Sequence, residues 1–331
     1  MKELIIGKNE AGQRFDKYLA KLLPNAPKSF IYKMLRKKNI TLNGKKALGN
    51  EMLSLSDTVR LFFSDETYAK FSGVIPASAA AAKTFDFASS VIYEDEDILI
   101  VNKPSGILSQ PERSGGESLV SNLTEYLLTS GKITQEELRT FHPAPVNRLD
   151  RNTSGLVLCG KSLRGSQFLS GIIKSRDVKK HYLTVTCGEI EDGVYEAYLK
   201  KDTSLNKVSI RRNNAQGFLR IATGVHVLSR AGKYALCDID LLTGRTHQIR
   251  SHLAWLGAPV IGDVKYGDRE LASILRKETG LKHQFLHAER IIFPTVQGDF
   301  SYISGITVKA PLTSEEERIL VKLGLSEVRQ G

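Results

Sequence analysis

The rhythm of hydrophobic and polar positions changes several times along this chain, and each change predicts an element. In residues 14–23 (RFDKYLAKLL), Phe15, Leu19, Leu22 and Leu23 recur at helical spacing and predict a helix with one apolar face. Pro24 and Pro27 punctuate, and Ser29 reads as the N-cap of a second helix with apolar positions Phe30, Ile31, Met34 and Leu35. A short strand, the turn pair Asn43-Gly44 and a closing strand over 59–63 follow, as in a hairpin. Residues 64–88 carry Pro76 and a run of alanines at 79–82, lose apolar periodicity and read as a linker.

From residue 89 the texture is that of a sheet. Apolar runs at 91–93, 98–101 and 156–158 and an alternating run at 182–186 predict strands. Further strands are expected at 193–199, 206–211, 219–229, 234–241, 285–293 and 305–309, with helices at 117–128, 162–174 and 246–256. Residues 314–331 read as a C-terminal helix or tail. Many strands with few, irregularly placed helices predict an α+β body rather than a regularly alternating parallel sheet. The expected organisation is a small module over 1–63, a linker over 64–88 and a large domain over 89–313. No internal repeat is visible.

Composition adds exclusions. The chain has 331 residues, 41% hydrophobic and 25% charged, ordinary for a globular protein and far from disordered or fibrous classes. No apolar run reaches the length of a membrane span, and the first residues lack a signal-peptide core. Cys159, Cys187 and Cys237 are odd in number and scattered, which suits a reducing cytoplasm. The net charge of +11 is unevenly placed. Residues 1–63 hold 13 Lys+Arg against 5 Asp+Glu, net +8, while the other 268 residues hold 34 against 31, net +3. A small, strongly basic module suits a polyanion partner, because each phosphate it neutralises releases counterions. Within it, Lys33, Arg36 and Lys37 stand at i, i+3 and i+4, on one helical face.

Candidate chemistry narrows quickly. Residues 155–162 (GLVLCGKS) match the phosphate-loop pattern G-x-x-x-x-G-K-S, but Leu, Val, Leu and Cys at the variable positions belong in a buried strand. His247 and His252 are five apart, without an H-E-x-x-H or Cys/His cluster, so no metal site is read. No G-x-S-x-G elbow is present. What remains is the run NRLDRNTSG at 147–155. There Asp150 stands between Arg148 and Arg151, and neighbouring cations favour the charged form a nucleophile or base requires.

This run resembles the H-R-L-D-x-x-T-S-G motif of the RluA-type RNA pseudouridine synthases. Four further segments match in the family's order: Tyr93-Glu94-Asp95 with Asn102-Lys103-Pro104-Ser105-Gly106, then the 180–185 run KHYLTV, the 243–250 run TGRTHQIR, and Leu286-His287-Ala288. Pro259, Gly262, Asp263, Tyr266 and Gly267 also stand where expected, so the likeness spans about 91–312. One departure is Asn147, where the family has His. In front, Arg14-Phe15-Asp16 and the 40–44 run ITLNG resemble an S-four-type RNA-binding domain.

The resemblance implies a pseudouridine synthase fold, a mixed and mostly antiparallel central sheet, preceded by a small α/β RNA-binding domain. It implies an isomerase that detaches a uracil from its ribose in RNA and rejoins it through carbon, with no cofactor or metal. Asp150 would be the essential carboxylate, Arg250 its partner and Tyr182 a platform that stacks on uracil and relays a proton. Arg148 would enter the RNA stack when the base leaves. Lys33, Arg36 and Lys37 would bind RNA. Large-subunit ribosomal RNA is the first choice of substrate and transfer RNA the second, with a cytoplasmic monomer expected. The rivals are a non-enzymatic RNA-binding assembly protein and a nucleotide hydrolase acting through residues 155–162.

Overall fold

The computed structural model describes residues 1–73, 85–112, 116–202 and 207–325. The first of these segments is built on a four-stranded sheet. It contains β1 (Lys2–Ile5), α1 (Phe15–Leu22), α2 (Lys28–Arg36), β2 (Ile40–Leu42), β3 (Lys45–Lys46), β4 (Thr58–Leu61) and α3 (Asp65–Ser72). The sheet order is β1-β4-β2-β3, antiparallel throughout. Helix α1 buries Phe15, Tyr18, Leu19 and Leu22, and α2 buries Ile31, Met34 and Leu35. Both pack on Ile40, Val59 and Leu61 in one core. Each fully buried Leu or Phe contributes on the order of 1.5–3 kcal/mol. Asn43 and Gly44 both take positive φ, as a two-residue hairpin turn demands.

Three features differ from the sequence expectation. Strand β1 pairs with β4, although its four residues were too few to establish a pattern. Helix α2 starts at Lys28 with Pro27 as N-cap, so Ser29 lies inside the helix. The Pro27 ring fixes φ at −59°, which sets the helix entry without a side-chain cap. The expected linker contains α3, whose Ser64 hydroxyl accepts the Thr67 N–H. The alanine run and Pro76 lie outside the described residues.

The larger body contains β5 (Val91–Glu94), β6 (Ile98–Lys103), α4 (Leu119–Thr129), β7 (Ala144–Pro145) and β8 (Ser154–Gly160). Then come α5 (Leu163–Ser175), β9 (Lys179–Cys187), β10 (Gly193–Asp202), β11 (Lys207–Arg211), β12 (Leu219–Ala231) and β13 (Tyr234–Asp240). It closes with α6 (Gln248–Trp255), α7 (Arg269–Thr279), β14 (Leu286–Ile292), β15 (Thr307–Lys309) and α8 (Ser314–Lys322). One sheet runs β11-β10-β12-β13-β9-β14-β8-β6-β5, with β15 beside β14 and β7 beside β8. Its pairs are antiparallel except β14 with β8. This is the mixed, mostly antiparallel α+β sheet expected, and its predicted helices and strands fall within a few residues of the observed ones. Helix α7 was not expected, although Asp268 caps its start and Gly280, at φ +88°, ends it.

Strand β8 shows how the sheet is covered. All seven of its residues are buried. Val157 and Cys159 join a core with Leu119, Leu123 and Leu127 of α4 and Ile249 and Leu253 of α6. Leu156 and Leu158 join another core with Leu169 of α5 and Phe293. Alternate residues thus feed opposite faces, as strand geometry requires. Gly155 sits at φ +109°, and a Cβ there would lie 2.3 Å from the Ala288 carbonyl oxygen. The close approach of β8 to β14 therefore needs a glycine directly after the turn that carries Asp150.

Candidate active site

Asp150 lies in the loop between β7 and β8, and its neighbours fasten that loop on both sides. Asn147 lies alongside β8, where its amide behaves like an extra strand residue. Its Oδ1 accepts the Leu158 N–H at 2.7 Å and its Nδ2 donates to the Leu156 carbonyl at 3.3 Å. The Asn found where the family has His is thus a structural clamp. Ser109 donates to the Leu149 carbonyl at 2.8 Å and accepts the Leu149 N–H at 3.1 Å. Lys103, at the end of β6, is fully buried, and its ammonium donates to the carbonyls of Pro104, Ile107 and Arg151 at 2.9, 2.9 and 3.1 Å. Burial pushes Lys103 down to about 7, while the Asp150 charge pulls the other way. Three carbonyls around three N–H groups form the shell an ammonium needs.

Arg250, on α6, reaches Asp150 from the opposite wall. Its Nη1 donates to Asp150 Oδ2 at 2.7 Å. Its other edge is taken by Asp263, with Nε to Oδ2 at 2.7 Å and Nη2 to Oδ1 at 2.9 Å. This fork fixes the plane of the guanidinium, so its third contact is aimed. Burial works against the Arg250 cation, but the Asp263 hydrogen bonds and both carboxylate charges outweigh it and hold it above its ordinary value. Asp263 is almost fully buried. Burial raises its pKa, yet Arg250 and the Lys265 and Tyr266 N–H groups bring it below the usual range. Although it lies in the first turn of a helix, Arg250 is only 8% exposed.

Tyr182 enters the same site from β9. Its ring is buried in the core beneath the cleft. Burial first, and the Asp150 charge second, raise its pKa well above that of a free phenol. The ring therefore lines the cleft as an apolar wall on which the phenolate form is disfavoured. Arg148 is exposed at the cleft mouth and makes no side-chain hydrogen bond or ion pair among the described residues. Asp150, Tyr182, Arg250 and Arg148 all line one cleft of about 660 Å³, together with Asn147 and His247. Residues 32 and 100 positions from Asp150 thus converge on it. The Asp150 side chain keeps about a quarter of its surface open, enough to meet a ligand.

Sequence reasoning gave no role to Lys103, His247, Asp263 or Tyr266, although all four stand in the quoted motifs. The partners of Asp263 and Lys103 are set by folding and could not be read from spacing. The phosphate-loop pattern is a coincidence: residues 155–160 are strand β8. Lys161 bonds Glu94 at 2.5 Å and the Asp95 carbonyl at 2.6 Å, and Ser162 caps α5. Among the described residues, no group of three or more His, Cys, Asp or Glu could hold a metal. His252 is buried against Thr223 at 3.0 Å, and burial pushes it down to about 4.

The other predicted residues lie elsewhere. Lys33, Arg36 and Lys37 are all exposed at the end of α2, and their side chains have no partner among the described residues. They form a cationic face on the small sheet module and are not part of the cleft lining.

The family described as RNA pseudouridylate synthase matches residues 97–255, a span that includes Asp150, Tyr182 and Arg250. Ribosomal large subunit pseudouridine synthase C of Vibrio parahaemolyticus is 31% identical over 325 residues, covering 96% of this chain and 95% of that protein. The protein of the same name from Escherichia coli is 32% identical over 326 residues, covering 98% and 97%. Among solved structures, human RNA Pseudouridylate Synthase Domain Containing 4 is similar with a TM-score of 0.59 at 20% identity, a likeness of fold. That match covers 72% of this chain and 95% of the human one.

Proposed function

The chain belongs to the RNA pseudouridylate synthase family and isomerises uridine in RNA to pseudouridine, and from that premise we propose that its target lies in large-subunit ribosomal RNA and that Asp150 is the essential carboxylate. The reaction breaks the N1–C1′ bond, turns the base, and forms a C5–C1′ bond. The C5 proton leaves and N1 takes one up, so composition is unchanged and no redox partner is called for. The observation that carries the reading is the 2.7 Å contact from Arg250 to Asp150, with Arg250 itself locked by Asp263. One carboxylate oxygen is held by Arg250, which fixes the group's orientation towards the cleft. From there Asp150 can attack the nucleoside or take its proton.

The remaining residues fall into roles around that carboxylate. Tyr182 stacks on the uracil with its phenol protonated. Arg148, exposed at the mouth, fills the place in the RNA stack that the target base leaves, which offsets part of the few kcal/mol that unstacking costs. Lys33, Arg36 and Lys37 hold the RNA backbone from the small module, with residues 1–63 acting as an S-four-type unit and 89–313 as the catalytic domain. The names of the relatives in Vibrio parahaemolyticus and Escherichia coli favour ribosomal over transfer RNA. We place the enzyme in the cytoplasm as a monomer. Its three cysteines are free thiols, and among the described residues no helix is long and apolar enough to cross a membrane.

Mapping pseudouridines in cells with and without the gene tests this reading. Specific large-subunit positions should lose the modification and regain it with the wild-type gene but not with Asp150→Asn. Loss confined to transfer RNA would overturn the choice of substrate, and restoration by Asp150→Asn would overturn the role of Asp150.

A further inference from the structure

Beside the Asp150–Arg250 pair, the cleft is lined by the imidazole of His247. His247 precedes α6 and sits at φ +54°, a left-handed conformation uncommon for a residue with a side chain. The turn before it is fixed from within. Gln248 Oε1 accepts from Thr243 Oγ1 at 2.9 Å and the Arg245 N–H at 3.1 Å, and its amide donates to Ala222 O and Thr223 Oγ1. Strained backbone held this firmly directs the ring that it carries.

The two ring nitrogens have different surroundings. Nδ1 lies 2.8 Å from the Tyr266 hydroxyl, and Nε2 points into the cleft, 3.9 Å from Asp150 Oδ1. Tyr266 is itself held. Its oxygen accepts the Val208 N–H of β11 at 3.2 Å, its ring packs edge-on to His247, and the Arg250 guanidinium lies 5.3 Å over its face. The hydroxyl has one proton, and His247 Nδ1 is the acceptor bonded to it among the described residues. Donation to Nδ1 puts the ring proton on Nε2, where an N–H also suits the facing carboxylate. The other groups around the ring are Arg250 on α6 and Asp263 and Lys265 from the loop before α7. Burial, the largest influence, lowers the pKa of His247 and favours the neutral ring, despite the opposing Asp150 charge.

At 3.9 Å, Nε2 is beyond hydrogen-bond range of Asp150, so its N–H remains available to whatever enters beside the carboxylate. Cleavage of the N1–C1′ bond leaves the electron pair on uracil, and the negative charge spreads from N1 onto the carbonyl oxygens. We propose that the Nε2–H of His247 donates to a carbonyl oxygen of the target uracil as that charge develops, and that Tyr266 holds the ring in the tautomer required. His247 is then a catalytic residue and Tyr266 a positioning residue. The inference rests on Asp150 being the carboxylate that acts on the same nucleotide.

Three variants test it on the full-length enzyme, with saturating ribosomal RNA. Removing one fixed donor to a developing oxyanion costs about 10²–10³ in kcat. His247→Asn, which tolerates the left-handed backbone but is too short to reach, should lose about a hundredfold in kcat with KM within threefold. Tyr266→Phe should lose about tenfold, again in kcat. His247→Ala should lose at least as much as His247→Asn and regain activity with added imidazole. Asp150→Asn runs alongside. If it is inactive while His247→Asn keeps kcat within threefold, or loses only in KM, this inference fails and the reading of Asp150 stands. If Asp150→Asn is active, both fail. Tyr266→Phe at wild-type kcat, or no imidazole rescue, would overturn the tautomer assignment or the donor role respectively.

Discussion

The small N-terminal module and the cleft use positive charge in opposite ways. On α2, Lys33, Arg36 and Lys37 stand exposed and without side-chain partners among the described residues. In the cleft, Arg250 is buried and makes three hydrogen bonds to two carboxylates, and Lys103 is fully buried among three carbonyls. Exposed cations attract a polyanion at long range, are screened by salt and need no particular geometry. Buried, shared cations add little long-range attraction but fix where a carboxylate points. Under the proposed roles, the chain separates affinity from aim. Most of its surplus charge lies in residues 1–63, while placement matters more than number in the cleft.

That contrast can be broken by variants whose effects should not cross over. The largest effect is expected for Arg250→Met, which leaves Asp263 buried without its cation. Removing one partner of a buried pair costs about 3–5 kcal/mol, so thermal denaturation should show a marked loss of stability, with pseudouridine formation abolished. Asp263→Asn is gentler, because the guanidinium stays but loses its charged fork. A misplacement of about 1 Å in the aimed group costs on the order of a hundredfold in rate. Single-turnover assays should therefore show a fall in kcat of about that size, with RNA affinity unchanged. Lys103→Met should take the ammonium donor from the Pro104, Ile107 and Arg151 carbonyls and cost about 1–3 kcal/mol, measurable by denaturant titration. The smallest catalytic effect belongs to the triple change of Lys33, Arg36 and Lys37 to Ala. Saturated kcat should stay within about twofold, while the slope of log affinity against log salt falls by about 2–3, near one unit per lost phosphate contact. A cleft variant that flattens the salt slope, or a module variant that lowers kcat at saturation, would blur the distinction.

Much of this arrangement is legible in the sequence, and the exceptions share a cause. Asp150, Tyr182 and Arg250 stand out because their motifs are local runs, and the structure brings all three into one cleft. The unbroken apolar run Leu156-Val157-Leu158-Cys159 likewise marks a buried strand rather than a phosphate loop from the sequence alone. Asp263 and Lys103 are different. Both stand in matched motifs, but the role of each is defined by its partners, the Arg250 guanidinium for Asp263 and backbone carbonyls for Lys103, which spacing does not reveal. Tyr266 acquires meaning only because Val208 of β11 folds against it. Among the elements, β1 is four residues long and earns its place by pairing with β4, a tertiary effect. Helix α7 was missed although its signals are local, since Asp268 and Gly280 bracket an amphipathic run. The Ser29 cap was misplaced because proline can set a helix entry without a side-chain hydrogen bond.

The central claim is that an aspartate held by Arg250 performs the isomerisation. Forming the C5–C1′ bond must expel the C5 hydrogen, so tritium placed at C5 of uridine in large-subunit ribosomal RNA reports the reaction directly. Wild-type enzyme should release tritium to water, and Asp150→Asn, folded and bound to the same RNA with wild-type affinity, should release none above background. Release by that variant at a rate near wild type would contradict the account.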